Sequence, residues 1–148
     1  MKNIDYSKWI ASCCLTALVA LYVVGAVSHG SLRHEVQTLP LWAPIVFGFR
    51  GQKMAEWSGL GCLIVWLLLM LMIWSILTGW THLLSGHFSL VEIGLTIVIG
   101  AASVCGIAMS LRWRTAMGRL AAFGTVVLFV GLQLVAVRLS FLPYIANR

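Results

Sequence analysis

Charge is what this sequence has least of. Of its 148 residues only 9% are charged, four acidic and ten basic, where a soluble domain carries about 25%. A single aspartate, Asp5, sits in the polar head. Paired carboxylates for general acid–base work are therefore scarce. There is no G-x-S-x-G elbow, no phosphate-cradling glycine loop and no serine with a histidine and an acid close by, so nucleophilic and phosphoryl-transfer chemistry have no support. The four cysteines, Cys13, Cys14, Cys62 and Cys105, form no C-x-x-C pair and lie in apolar runs. There they read as small hydrophobes, and a thiol oxidase is disfavoured. The net charge of +6 is scattered over loops and termini. No basic stripe interleaved with aromatics is present to grip a polynucleotide, so nucleic acid is excluded as a partner and phospholipid headgroups are expected instead.

What the sequence has in abundance is apolar length: 61% of residues are hydrophobic. The stretch 57–80, WSGLGCLIVWLLLMLMIWSILTGW, runs 24 residues without an ionisable side chain. About 20 apolar residues in a helix cross a hydrocarbon layer roughly 30 Å thick. In lipid such a run must satisfy its own backbone, which makes it an α-helix. Trp57 and Trp80 stand at its ends, at headgroup level. Three more runs qualify, at about 9–28, 90–111 and 120–139. The expected fold is an all-α integral membrane protein: a four-transmembrane-helix bundle forming a single membrane domain over 1–148. A cleavable signal is the rival reading of the first run, but its apolar part exceeds a typical signal core of about 7–15 residues.

Between the first two spans, LPLWAPIVFGF (39–49) is apolar but short, and Pro40 and Pro44 interrupt it. It is read as a Pro-interrupted interfacial or shallow re-entrant segment anchored by Trp42. Ser89 to Glu92 spells the capping box S-x-x-E and marks the start of the third span. Ala102, Gly106 and Ser110 recur every four residues along that span. They are the expected helix-packing stripe, because small residues let helices approach closely in lipid. Gly94 and Gly100 add further close-approach points. Gln133 is the polar side chain embedded in the fourth span, and an interhelical hydrogen bond is expected of it.

Orientation is contested. With four crossings, the side of the amino terminus holds Lys2, Lys8, Arg138 and Arg148, while the other holds Arg33, Arg50, Lys53, Arg112, Arg114 and Arg119. The charge tally favours an outside amino terminus and a cytoplasmic 112–119 connector; the lysines flanking the first span favour the reverse.

The candidate ligand or proton site is His29, Arg33, His34 and Glu35 after the first span, with Glu56 expected to return to the same membrane face. Imidazole, guanidinium and carboxylate beside an apolar segment could hold a quinone headgroup, a lipid headgroup or a proton path. Four histidines invite a haem or metal reading, but His29 and His34 fall on the opposite face from His82 and His87. Each pair is also five residues apart, so neither shares a helix face. No metal, no cofactor and no catalytic residue is expected. The leading functional expectation is a small non-catalytic accessory or assembly subunit of a larger complex in the bacterial cytoplasmic membrane, with other membrane subunits as partners. The alternative is a redox-linked subunit binding quinone or haem b near His29, His34 and Glu35, in the loop after the first span.

Overall fold

In the computed structural model, residues 6–28, 31–79, 89–112 and 117–146 are described. They are helical almost throughout. The helices are α1 (Tyr6–Val27), α2 (Ser31–Thr38), α3 (Trp42–Phe49), α4 (Met54–Leu77), α5 (Leu90–Arg112), α6 (Arg119–Ser140) and α7 (Pro143–Ala146), with a single 3-10 turn, Leu39–Leu41, between α2 and α3. Among the described residues four helices, α1, α4, α5 and α6, are long and apolar enough to cross a membrane. This is an integral membrane protein built as a four-helix bundle. Helices α1 and α4 each start three residues before the expected runs, at a rim where polar side chains are wet, while α1 ends one residue early and α4 ends at Leu77, before a turn at Gly79 (φ +78°), with Trp80 outside the described residues.

Glycines set the packing. Gly59 meets α1 so closely that a Cβ there would fall 2.8 Å from Ile10, and one at Gly61 would fall 2.8 Å from the Val126 carbonyl of α6. Helix α4 thus touches α1, α5 and α6. It also fixes direction: Ile10 beside Gly59 makes α1 and α4 parallel, while Gly106 packs on Leu63 and Trp74 donates to Thr96 Oγ1 at 3.2 Å, making α5 antiparallel to α4. Helices α5 and α6, consecutive in the chain, lie on separate flanks of α4.

The Pro-interrupted segment is there, interrupted once, by the 3-10 turn that holds Pro40, while Pro44 sits in the first turn of α3 without breaking it; its path is longer than the interfacial reading expects. His34 packs on Gly25 near the end of α1, Pro40 accepts from the Cys62 thiol at 3.7 Å, Pro44 approaches Gly59, and Gly48 sits on Ala11 while its carbonyl accepts from Ser7 Oγ at 3.0 Å. The segment therefore descends beside α1 from its last turns to its first. Gly25 to Ala11 alone is about 21 Å of helix axis. Leu41, Pro44, Ile45 and Gly48 face inward; Leu39, Trp42, Val46 and Phe49 face outward. A tight turn at Gly51 (φ +66°), a backbone angle costly for any side chain, then starts α4 at the end where α1 begins.

The break leaves backbone groups that lipid could not satisfy, and the fold supplies partners. Pro40 has no N–H, so in a 3-10 turn the Gln37 carbonyl loses its donor. Gln133, reaching across from α6, donates Nε2–H to that carbonyl at 2.7 Å. The interhelical bond expected of Gln133 is therefore present. Gln37 in turn donates to Ser140 Oγ at 2.8 Å, tying α2 to the end of α6.

Candidate functional site

The polar side chains collect at the far end of α1, around α2. Helix α2 wedges between α1 and α6. It turns Gln37 and Thr38 fully inward, holds Arg33 and His34 half-buried, and leaves Glu35 exposed. Its last turn is closed by Thr38 Oγ1, which donates to the Glu35 carbonyl at 2.9 Å. The Arg33 guanidinium lies 4.2 Å from the centroid of the Phe141 ring, just past α6, a cation–π contact. His34 fits because residue 25 is glycine: a Cβ there would stand 3.0 Å from the His34 Cβ.

The electrostatics follow from this seat. Burial, and next the Arg33 charge, lower the His34 pKa from its ordinary value; Glu92 and a Gln37 hydrogen bond pull the other way. The net effect favours the neutral imidazole. Three buried polar atoms in this region have no hydrogen-bond partner among the described residues: Arg33 Nε, His34 Nδ1 and Gln133 Oε1. Together they offer two ring or guanidinium nitrogens and an amide oxygen, a set that can hydrogen-bond a polar headgroup but has no nucleophile.

The structure keeps part of the sequence-predicted cluster together and divides the rest. Arg33 and His34 share the wedge. Glu35 leaves the same helix for the exterior. Glu56 is buried, 5% exposed, in the first turn of α4. That turn is at the end where α1 starts, so Glu56 does not return to the face of His34 as expected. The reason is the path of 31–49, which carries the chain back along α1 before α4 begins. His29, with His82 and His87, lies outside the described residues. The acid that His34 does feel is Glu92. Glu92 also performs the capping expected of it: Ser89 N–H donates to Glu92 Oε2 at 2.7 Å and Glu92 N–H to Ser89 Oγ at 3.2 Å.

Sequence reasoning assigned Glu92 to its cap and did not join it to His34, because that proximity depends on α5 packing against α1. Gln37 and Ser140 were missed as well. The signal for Gln37 was its place three residues before Pro40, which orphans the Gln37 carbonyl that Gln133 serves; Ser140 carried none.

The helix-packing stripe is used inside the chain. Gly106 meets Leu63 of α4 and Cys13 of α1, and Ala102 and Ser110 are buried on the same face. Cys62 is engaged by Pro40 and stands near Cys14, whereas Cys105 is exposed and stands near Cys13; all four cysteines are free. Among the described residues no group of three or more His, Cys, Asp or Glu is placed to hold a metal ion. Compared with family models, curated proteins and solved structures, the chain matches none of them.

Proposed function

We propose that this chain is a non-catalytic accessory or assembly subunit of a larger complex in the bacterial cytoplasmic membrane, held among other membrane subunits and phospholipids. The observation that carries the reading is a division among its glycines. Gly25, Gly48, Gly59, Gly61 and Gly106 each permit a close approach within the chain. Gly94 and Gly100 of α5, and Gly124 and Gly131 of α6, lie on helices of the same kind, yet a Cβ at any of them meets nothing within 4 Å. Glycine costs about 1 kcal/mol in a helix relative to alanine, and in lipid its use is to let another helix come near. Exposed Ala101, Cys105 and Ala108 continue the small face of α5. Two flanks of α4 thus offer shallow surfaces suited to helices of a neighbouring subunit.

The test is the size of the native assembly, extracted in mild detergent, for Gly124→Leu/Gly131→Leu and for Gly94→Leu/Gly100→Leu. These changes raise helix propensity, and a Cβ at each position meets nothing within 4 Å, so the subunit is expected to stay folded while a bulky face blocks the partner. Loss of the larger species is expected. Unchanged assembly for both variants refutes the proposal.

A second reading, a redox-linked subunit, is favoured by the three unpartnered polar atoms around α2. Arg33 Nε–H can donate to a quinone carbonyl; a haem b would instead use His34 as an axial ligand. An absorption spectrum of the purified chain tests the haem, and organic extraction with mass detection tests the quinone. Arg33→Ala that leaves quinone content unchanged counts against this second reading.

A further inference from the structure

We propose that residues 31–49 make a fifth, broken passage through the membrane, and that the end where α1 begins is a basic surface seated on the anionic headgroups of the cytoplasmic leaflet. The first half rests on placement. The segment enters beside Gly25 and leaves beside Ser7 and Ala11, covering the greater part of α1. Its outward residues in the lower stretch, Leu39, Trp42, Val46 and Phe49, follow helical spacing and are all apolar, as a lipid-facing stripe must be. Its polar residues are either at the far rim or turned inward and bonded: Gln37 to Ser140, and the carbonyls of Gln37 and Pro40 to Gln133 and Cys62. Irregular backbone at membrane depth is tolerated only where protein encloses it and meets its hydrogen-bonding groups. This break meets that condition.

The second half follows from counting charges on the resulting faces. With the extra passage, α1, α4 and α6 all run from the near end to the far end, and α5 runs back. Among the described residues the near end carries Lys8, Arg50, Lys53, Arg112 and Arg119, with Glu56 as its carboxylate; the far end carries Arg33 and Arg138, with Glu35 and Glu92. Five cations against two decide the orientation by the positive-inside rule. The contest between rules also disappears. With four crossings, the flank of the first span and the total tally disagree. With five, Arg50 and Lys53 join the amino-terminal side, as do Arg112 and Arg119, and both rules name the same face. Clustered Lys and Arg at a membrane rim are attracted to anionic lipid. The occupant of this face is therefore the phospholipid surface, distinct from the helical partners proposed for the flanks of α5 and α6.

Labelling of the full-length chain in intact cells tests both halves. With the four native cysteines changed to alanine, Gln52→Cys reports the near end and Tyr144→Cys the far end; both positions are exposed. A membrane-impermeant maleimide should label Tyr144→Cys in intact cells and Gln52→Cys only after permeabilisation. Lys8→Cys, exposed in the first turn of α1, should label as Gln52→Cys does, and labelling of these two from opposite sides overturns the fifth passage, because an interfacial link puts residues 8 and 52 on opposite faces. Labelling of Lys8→Cys and Gln52→Cys from outside, with Tyr144→Cys protected, overturns the orientation. Should a variant fail to accumulate, reporters on the two termini of the otherwise unaltered chain decide: a fluorescent cytoplasmic reporter before Met1 and alkaline phosphatase after Arg148 are both expected to be active, and termini on one side of the membrane refute the inference.

Discussion

Among the described residues, His34 is a point at which pH reaches this fold. Its imidazole is held below the ordinary value of 6.5, first by burial and then by Arg33. The folded state then binds fewer protons than the unfolded chain wherever the unfolded imidazole is protonated. Stability from this group is complete above about 6.5, declines as acid is added, and levels off once the folded imidazole too is charged. Thermal unfolding in detergent should therefore show a lower midpoint at about pH 5 than at about pH 8. His34→Gln should flatten that dependence, and Glu35→Gln, on the exposed side of the same helix, should leave it in place. A pH profile that His34→Gln does not alter rules this out. The residue types at 33–35 were legible as a polar cluster, but their separation was not. Within one turn, burial of His34 and exposure of Glu35 depend on where α1 and α6 press against α2, and nothing local records that.

At the scale of elements, the broken segment is held by a trade between two missing groups. Pro40 withdraws a donor and Gln133 supplies one. Gln133→Leu leaves the Gln37 carbonyl unserved in the protein interior. The expected loss lies between the roughly 0.6 kcal/mol typical of polar contacts between membrane helices and the about 1–3 kcal/mol of an orphaned buried group. Pro40→Ala restores an N–H close to the same carbonyl, so the cost of Gln133→Leu should shrink in its presence. The measurement is a double-mutant cycle of unfolding free energies in detergent, and strictly additive losses would show that the two residues do not serve one another. The elements themselves were readable because their causes are short-range. Apolar length gives the spans, Ser89 and Glu92 give the cap, and Pro40 gives the break, while Pro44 is accommodated in the first turn of α3. Depth was not readable. It depends on Gly25 of α1 and Gly59 of α4 opening a groove that the segment can enter, and on the segment's own Gly48, which seats on Ala11. The stripe at Ala102, Gly106 and Ser110 likewise announced a tight contact without naming its partner, which is α1 and α4 rather than another subunit.

For the whole molecule, the decisive property is direction. An interfacial link between the first two spans returns α4 antiparallel to α1; a link that traverses returns it parallel. The two arrangements place different residues side by side whatever surrounds them. In the structure Ile10 abuts Gly59, and Cys14 lies near Cys62 in the same register. A disulfide needs Cβ atoms about 3.8 Å apart, a separation open to 10 and 59 but closed to 10 and 77, which sit at opposite ends of the bundle. In a chain whose native cysteines are alanine, Ile10→Cys with Gly59→Cys should therefore oxidise to an intramolecular cross-link detectable by mass spectrometry of the peptides. Ile10→Cys with Leu77→Cys should remain reduced. The reverse pattern would mean that α4 runs the other way. It would remove the parallel pairing, the descent of 31–49 and the single basic face together, because all three are consequences of the one path the chain takes between Val27 and Met54.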